Sequence, residues 1–91
     1  RALACDVSQP LEVKSLMASL AELGAVFHLA GVDSSAPLGE VTAQSLQEEM
    51  SAKVEGAWNL HEALQDRELE SFVLYGSIAG FWGSGNQTVY C

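Results

Sequence analysis

Ser77 and Tyr90 stand thirteen positions apart at the two ends of a glycine-rich stretch, SIAGFWGSGNQTVY. Ser77 follows a short apolar run, Phe72–Tyr75, that reads as a buried strand. A serine at a strand end and a tyrosine across a loop can place two hydroxyls at one carbonyl oxygen. Lys53 is the third residue of interest. Leu46, Met50, Ala57, Leu60 and Leu64 recur at helical spacing, and Lys53 falls in the middle of that stripe, on the side that should face the core. Each residue alone has a plainer account. Serines often end strands and open turns. A tyrosine is commonly a packing aromatic with its hydroxyl at the surface. A lysine stem can lie along apolar surface while its ammonium reaches water. The set is worth more than its parts. A tyrosine can protonate a carbonyl oxygen if its phenol pKa, ordinarily about 10, is pulled down. A nearby ammonium does this by favouring the phenolate, and a serine hydroxyl can hold the same oxygen. That is what a hydride-transfer site needs, with the hydride supplied by a nicotinamide cofactor.

Other polar groups have structural readings. Gly80, Gly83 and Gly85 do not match the phosphate-binding pattern G-x-G-x-x-G, which occurs nowhere in the chain, and they read as turn residues. His28 lies in an apolar run and reads as a satisfied core histidine; His61, at the edge of the helix stripe, reads as structural. Glu48-Glu49 reads as a solvated helix face. No His, Cys, Asp or Glu set has metal-ligand spacing, so no metal is expected.

These residues need a scaffold. Ala2–Cys5 reads as the end of a first strand. Ser8 is a plausible N-cap for a helix with Pro10 in its first turn, running to Leu23 and stopped by Gly24. Ala25–Ala30 is apolar nearly throughout, which suits a strand buried on both faces. Asp33–Gly39 is a loop. Thr42 caps a long helix from about Ala43 to Leu64, and a polar turn leads to the strand at Phe72–Tyr75. Strands alternating with helices imply a parallel sheet with right-handed crossovers. Ligands of such sheets bind outside the carboxyl ends of the strands, which places Asp6, Gly31 and Ser77 on one rim.

Bulk properties narrow the classes. With 91 residues and 48% hydrophobic composition, the chain is one small globular domain or part of a larger one. A formal charge of −8 argues against nucleic acid or an anionic membrane as partner. No apolar run approaches a membrane span. Cys5 and Cys91 suggest free thiols in a reducing compartment, hence a cytoplasmic location. Both ends look cut from continuing structure, so residues 1–91 are expected to be a central fragment of a single domain.

The sequence also resembles a known family. CDVS at 5–8, VFHLAGV at 26–32, AKVEGAWNLHE at 52–62 and LYGSIAGFWGSGNQTVY at 74–90 follow, in order, the pattern of ketoreductase domains of modular polyketide synthases, within the short-chain dehydrogenase/reductase superfamily. The resemblance implies an α/β fold: a Rossmann-like doubly wound parallel sheet, incomplete here, with about three strands and two main helices of a larger domain. It implies NADPH-dependent reduction of a β-ketoacyl thioester, carried on an acyl carrier protein among neighbouring synthase domains, to the β-hydroxyacyl product. By position, Lys53, Ser77 and Tyr90 resemble the catalytic residues. Asp6 and Val7 resemble those that meet the adenine, and Ala30 and Gly31 those that line the nicotinamide side. The family's glycine-rich loop would lie before Arg1, and its catalytic asparagine would fall after Cys91, so the 91 residues alone are expected to be inactive. Asp33-Ser34-Ser35 replaces the Leu-Asp-Asp of many members. With Trp82, this resembles the A-type, which yields the L-configured hydroxyl; Gln87 resembles the subtype that leaves an α-substituent unepimerised. The remaining alternatives are a degenerate, non-catalytic ketoreductase subdomain, a fatty-acid-synthase-type ketoreductase and a stand-alone dehydrogenase.

Overall fold

In the computed structural model, which describes residues 1–91, β1 (Ala25–His28) and β2 (Ser71–Leu74) pair in parallel. The register aligns Val26 with Phe72 and His28 with Leu74 on one face, and Phe27 with Val73 on the other. Backbone bonds from Glu70 N–H to Gly24 O (2.7 Å) and Tyr75 N–H to His28 O (3.1 Å) extend the ladder at both ends. α1 (Pro10–Ser19) precedes β1. Between the strands come a 3₁₀ turn (Leu38–Glu40), α2 (Ala43–Met50), a π-helical turn (Ser51–Glu55) and α3 (Gly56–Leu64); α4 (Ala79–Trp82) follows β2. The expected parallel crossover is present. No helix is long and apolar enough to cross a membrane.

The core is the seam between α1 and α3. Val13 and Met17 meet Leu60 and Leu64, with Val26 and Phe72 packed beneath them. Burying each of these side chains contributes about 1.5–3 kcal/mol. Both helices therefore cover the Val26–Phe72 face. The opposite face is open, with Phe27 57% exposed. This corrects the expectation that β1 is buried on both faces: the apolar run is real, but these 91 residues supply helices to one side only. Ala2–Cys5 is likewise not a strand. A strand exists through its ladder to a neighbour, and the sheet contains β1 and β2 alone. β1 ends at His28, short of Ala30, and β2 begins and ends one residue earlier than expected.

α1 differs at both ends. Its N-cap is Gln9, and Pro10 occupies the first turn as expected. Ser8 is held instead by Asp6, whose Oδ1 accepts from the Ser8 N–H (3.0 Å) and hydroxyl (2.8 Å). The helix stops at Ser19, with Leu20 rather than Gly24 as C-cap. Arg67 caps this end. Its guanidinium donates to the carbonyls of Leu20 and Met17, both at 2.6 Å, and so satisfies helix-end acceptors that a glycine motif would otherwise serve. Arg67→Ala is expected to cost about 1–3 kcal/mol, read as a lower denaturation midpoint of the intact domain. An unchanged midpoint would remove the guanidinium from this role.

The stretch Ala43–Leu64 is helical throughout but not uniformly α. Thr42 starts it with a capping box: its Oγ1 accepts from Ser45 N–H (3.0 Å) while Ser45 Oγ accepts from Thr42 N–H (2.9 Å). Midway, the π turn follows an i→i+5 pattern and takes up about one extra residue. Downstream of it, Gly56, Leu60 and Leu64 are buried as a helix face; upstream, Ser45 and Glu49 point inward, not Leu46 and Met50. Leu46 is 41% exposed and Glu49 only 5%. The single stripe is therefore corrected, and so is the solvated Glu48-Glu49 face: Glu48 is exposed and Glu49 is buried.

Candidate functional site at the strand ends

Lys53 lies within the π turn, half-buried, where the exits of both strands converge on it. Its Nζ donates to the carbonyl of Tyr75, one residue past β2, at 3.2 Å. From the β1 side, Gly31 lies so close that a Cβ there would sit 3.0 Å from Lys53 Cε. A larger residue at this position would require the lysine stem to shift by a few tenths of an ångström. The ammonium also stands over the ring of Tyr90, 5.4 Å from its centroid. That is cation–π range, and no hydrogen bond runs from Lys53 to the Tyr90 hydroxyl. Lys53 and Tyr90 share the wall of a cavity of about 250 Å³ with Val32, Glu49, Met50 and Cys91.

Ser77 is exposed and bound within its own turn: its Oγ accepts from Ala79 N–H at 3.1 Å, and its carbonyl accepts from Gly80 N–H. Its hydroxyl proton remains free to donate outward. No hydrogen bond joins it to Lys53 or Tyr90. The glycine stretch that separates Ser77 from Tyr90 contains α4, which was not expected as a helix. A Cβ on Gly80 in α4 would lie 3.2 Å from Cys91 O, so the start of the stretch packs against its end. Trp82 projects from α4, 71% exposed, edge-on to Phe81. Gln87 donates to Asp33 Oδ2 at 2.9 Å.

Asp6 and Val7 lie on the α1–α3 side. Asp6 Oδ1 is occupied by Ser8. Val7 O accepts from Asn59 Nδ2 (3.0 Å), and a Cβ at Gly56 would come within 2.8 Å of Val7 Cγ2. Ala30 is exposed. Cys5 and Cys91 are unpaired. Partial burial pushes the Cys5 thiol up, and the carboxylates of Glu12 and Asp6 add to this.

Sequence reasoning missed two features. Glu49 is buried, with Oε2 accepting from Ser34 Oγ at 2.6 Å and Oε1 without a partner. The clue available was its position four residues before Lys53. His28 is in the core as expected but is not satisfied, since its Nε2 is buried without a partner.

The parallel α/β crossover thus brings a lysine and a tyrosine together at its strand exits, and comparison with known proteins places the chain in a family. The family model described as the KR domain matches residues 1–91, and the chain belongs to that family. It is 44% identical over 93 residues to the spectinabilin polyketide synthase system protein NorB of Streptomyces orinoci, covering 99% of this chain and 4% of that protein. Among solved structures, the ketoreductase from the first module of phoslactomycin biosynthesis in Streptomyces sp. HK803 superposes with a TM-score of 0.90 at 39% identity, over 99% of this chain and 21% of that one. An A1-type ketoreductase gives 0.89 at 41% identity, over 97% and 19%. The chain thus spans about a fifth of the solved ketoreductases and a few per cent of the synthase.

Proposed function

We propose that residues 1–91 carry the proton-donating part of a ketoreductase domain that uses NADPH to reduce a β-ketoacyl thioester on an acyl carrier protein to the β-hydroxyacyl product. The observation that carries this reading is the Lys53 ammonium, tied to the Tyr75 carbonyl and standing over the Tyr90 ring at the strand exits. Tyr90 donates its hydroxyl proton to the carbonyl oxygen. Lys53 stabilises the phenolate left behind. Ser77, whose oxygen already accepts from Ala79 N–H, uses its free proton to orient the substrate carbonyl.

NADPH, when bound, supplies the hydride. The exposed backbone at Ala30 and Gly31, with Gly31 close against the Lys53 stem, fits the nicotinamide end; Asp6 and Val7 would face the adenine. Trp82 and Gln87 would set which face of the ketone is presented, giving the A-type L-hydroxyl with the α-substituent retained. Residues 1–91 are a central portion of one such domain, inactive alone, working in the cytoplasm beside neighbouring synthase domains.

The test is the intact domain with a β-ketoacyl thioester of a small thiol, following NADPH oxidation and product configuration. Saturable NADPH-dependent reduction to the L-hydroxy product is expected. NADPH binding without reduction would replace this reading with the degenerate subdomain.

A further inference from the structure

Tyr90 sits on a segment that has little core of its own to hold it. Val89 and Tyr90 are half-buried, whereas Ser84–Asn86, Thr88 and Cys91 are exposed. Asn86 has a φ of 59°, a left-handed turn conformation that asparagine adopts more readily than most residues. The loop leaving β1 reaches across and binds this segment at two points. The Ala36 N–H donates to Asn86 O at 2.8 Å, within an isolated parallel bridge pairing Ala36 with Gln87. The Gln87 side chain donates from Nε2 to Asp33 Oδ2 at 2.9 Å. Gln87 O in turn accepts from Cys91 N–H at 2.9 Å, closing a one-turn loop that contains Tyr90.

We infer that Asp33 is a positioning residue: through Gln87 it latches the Tyr90 turn to the exit of β1 and so holds the phenol beside Lys53. Of the two ties, the backbone bridge depends little on side-chain identity. The Asp33–Gln87 bond is the side-chain tie, and it is charge-assisted, hence stronger than a neutral pair. Its span of 54 residues joins the two walls of the cavity: Val32, next to Asp33, lines one side, and Val89, Tyr90 and Cys91 line the other. Losing the latch leaves the chemistry of Lys53 and Tyr90 intact but lets the phenol wander.

This inference rests on the proposed reduction, and its test is a swap of the pair in the intact domain. Asp33→Ala is expected to lower kcat about tenfold with little change in the KM for NADPH. Gln87→Glu sets two carboxylates against each other and is expected to lower kcat about tenfold as well. Adding Asp33→Asn to Gln87→Glu restores a donor–acceptor pair and should raise kcat above that of Gln87→Glu alone. Hydrogen exchange of the peptide 86–91 gives a readout independent of turnover, and it should speed up in the two single variants and recover in the swap. Additive losses in the swap, or unchanged exchange in Asp33→Ala, would overturn the latch. Absence of reduction by the unaltered domain would instead overturn the function proposed above and leave the exchange result standing.

Discussion

Tyr90→Phe in the intact ketoreductase domain is expected to lower turnover about 10²–10⁴-fold, the usual contribution of a positioned acid, while the affinity for NADPH stays within about twofold. The substitution is unusually clean at this site. Lys53 stands over the ring face of Tyr90 and makes no hydrogen bond to the hydroxyl, so phenylalanine keeps the cation–π contact and the packing against the cavity. Only the proton donor is lost. Steady-state reduction and a direct NADPH titration measure the two halves of the claim. Turnover within about fivefold of the starting protein would remove Tyr90 from the role of acid.

The second large effect concerns the cation. Lys53→Met keeps a stem of similar length in the slot beside Gly31 but removes the ammonium. The loss takes away the bond to Tyr75 O, the charge over Tyr90 and the stabilisation of a developing phenolate. A fall of about 10²–10³-fold in kcat is expected, as for other preorganised charge stabilisers. Lys53→Arg should not rescue it. The planar guanidinium spreads its charge over a wider fork and does not reproduce a compact ammonium that donates to Tyr75 O while standing over the Tyr90 ring. If Lys53→Met retained most of its kcat, the lysine would be an anchor for Tyr75 and nothing more.

The parts of the fold legible in the sequence are those governed by local chemistry. The Thr42 cap, the parallel alternation of strands and helices, and the apolar spacing of Leu60 and Leu64 each follow from neighbours a few residues apart, and each is present. What was hidden depends on distant partners. Nothing near Ser19 announces a helix end, and the side chain that caps it is Arg67, 47 and 50 residues from the carbonyls it serves. Ala2–Cys5 has the apolarity of a strand, but hydrogen bonds to a neighbour, not apolarity, make one. Of the site, Lys53 and Tyr90 were legible as a pair because their residue types suit one reaction. Glu49 was not, since strict α periodicity put Leu46 and Met50 inward. Asp33 was not, because its bond to Gln87 is set by a loop path rather than by spacing.

The π turn at Ser51–Glu55 has a consequence for how this helix can change over time. It divides one continuous helix into two faces that are indexed separately. Leu60 and Leu64 keep phase with the core, whereas Glu49 and Lys53 keep phase with the cavity. Each half can therefore drift in sequence without dragging the other out of alignment, as long as the extra residue stays between them. The vulnerable quantity is the number of residues here rather than their identity. Removing one from this turn would restore an unbroken α ladder and rotate the upstream half by roughly 100° about its axis. The lysine would then swing away from both strand exits while every buried leucine downstream remained in place.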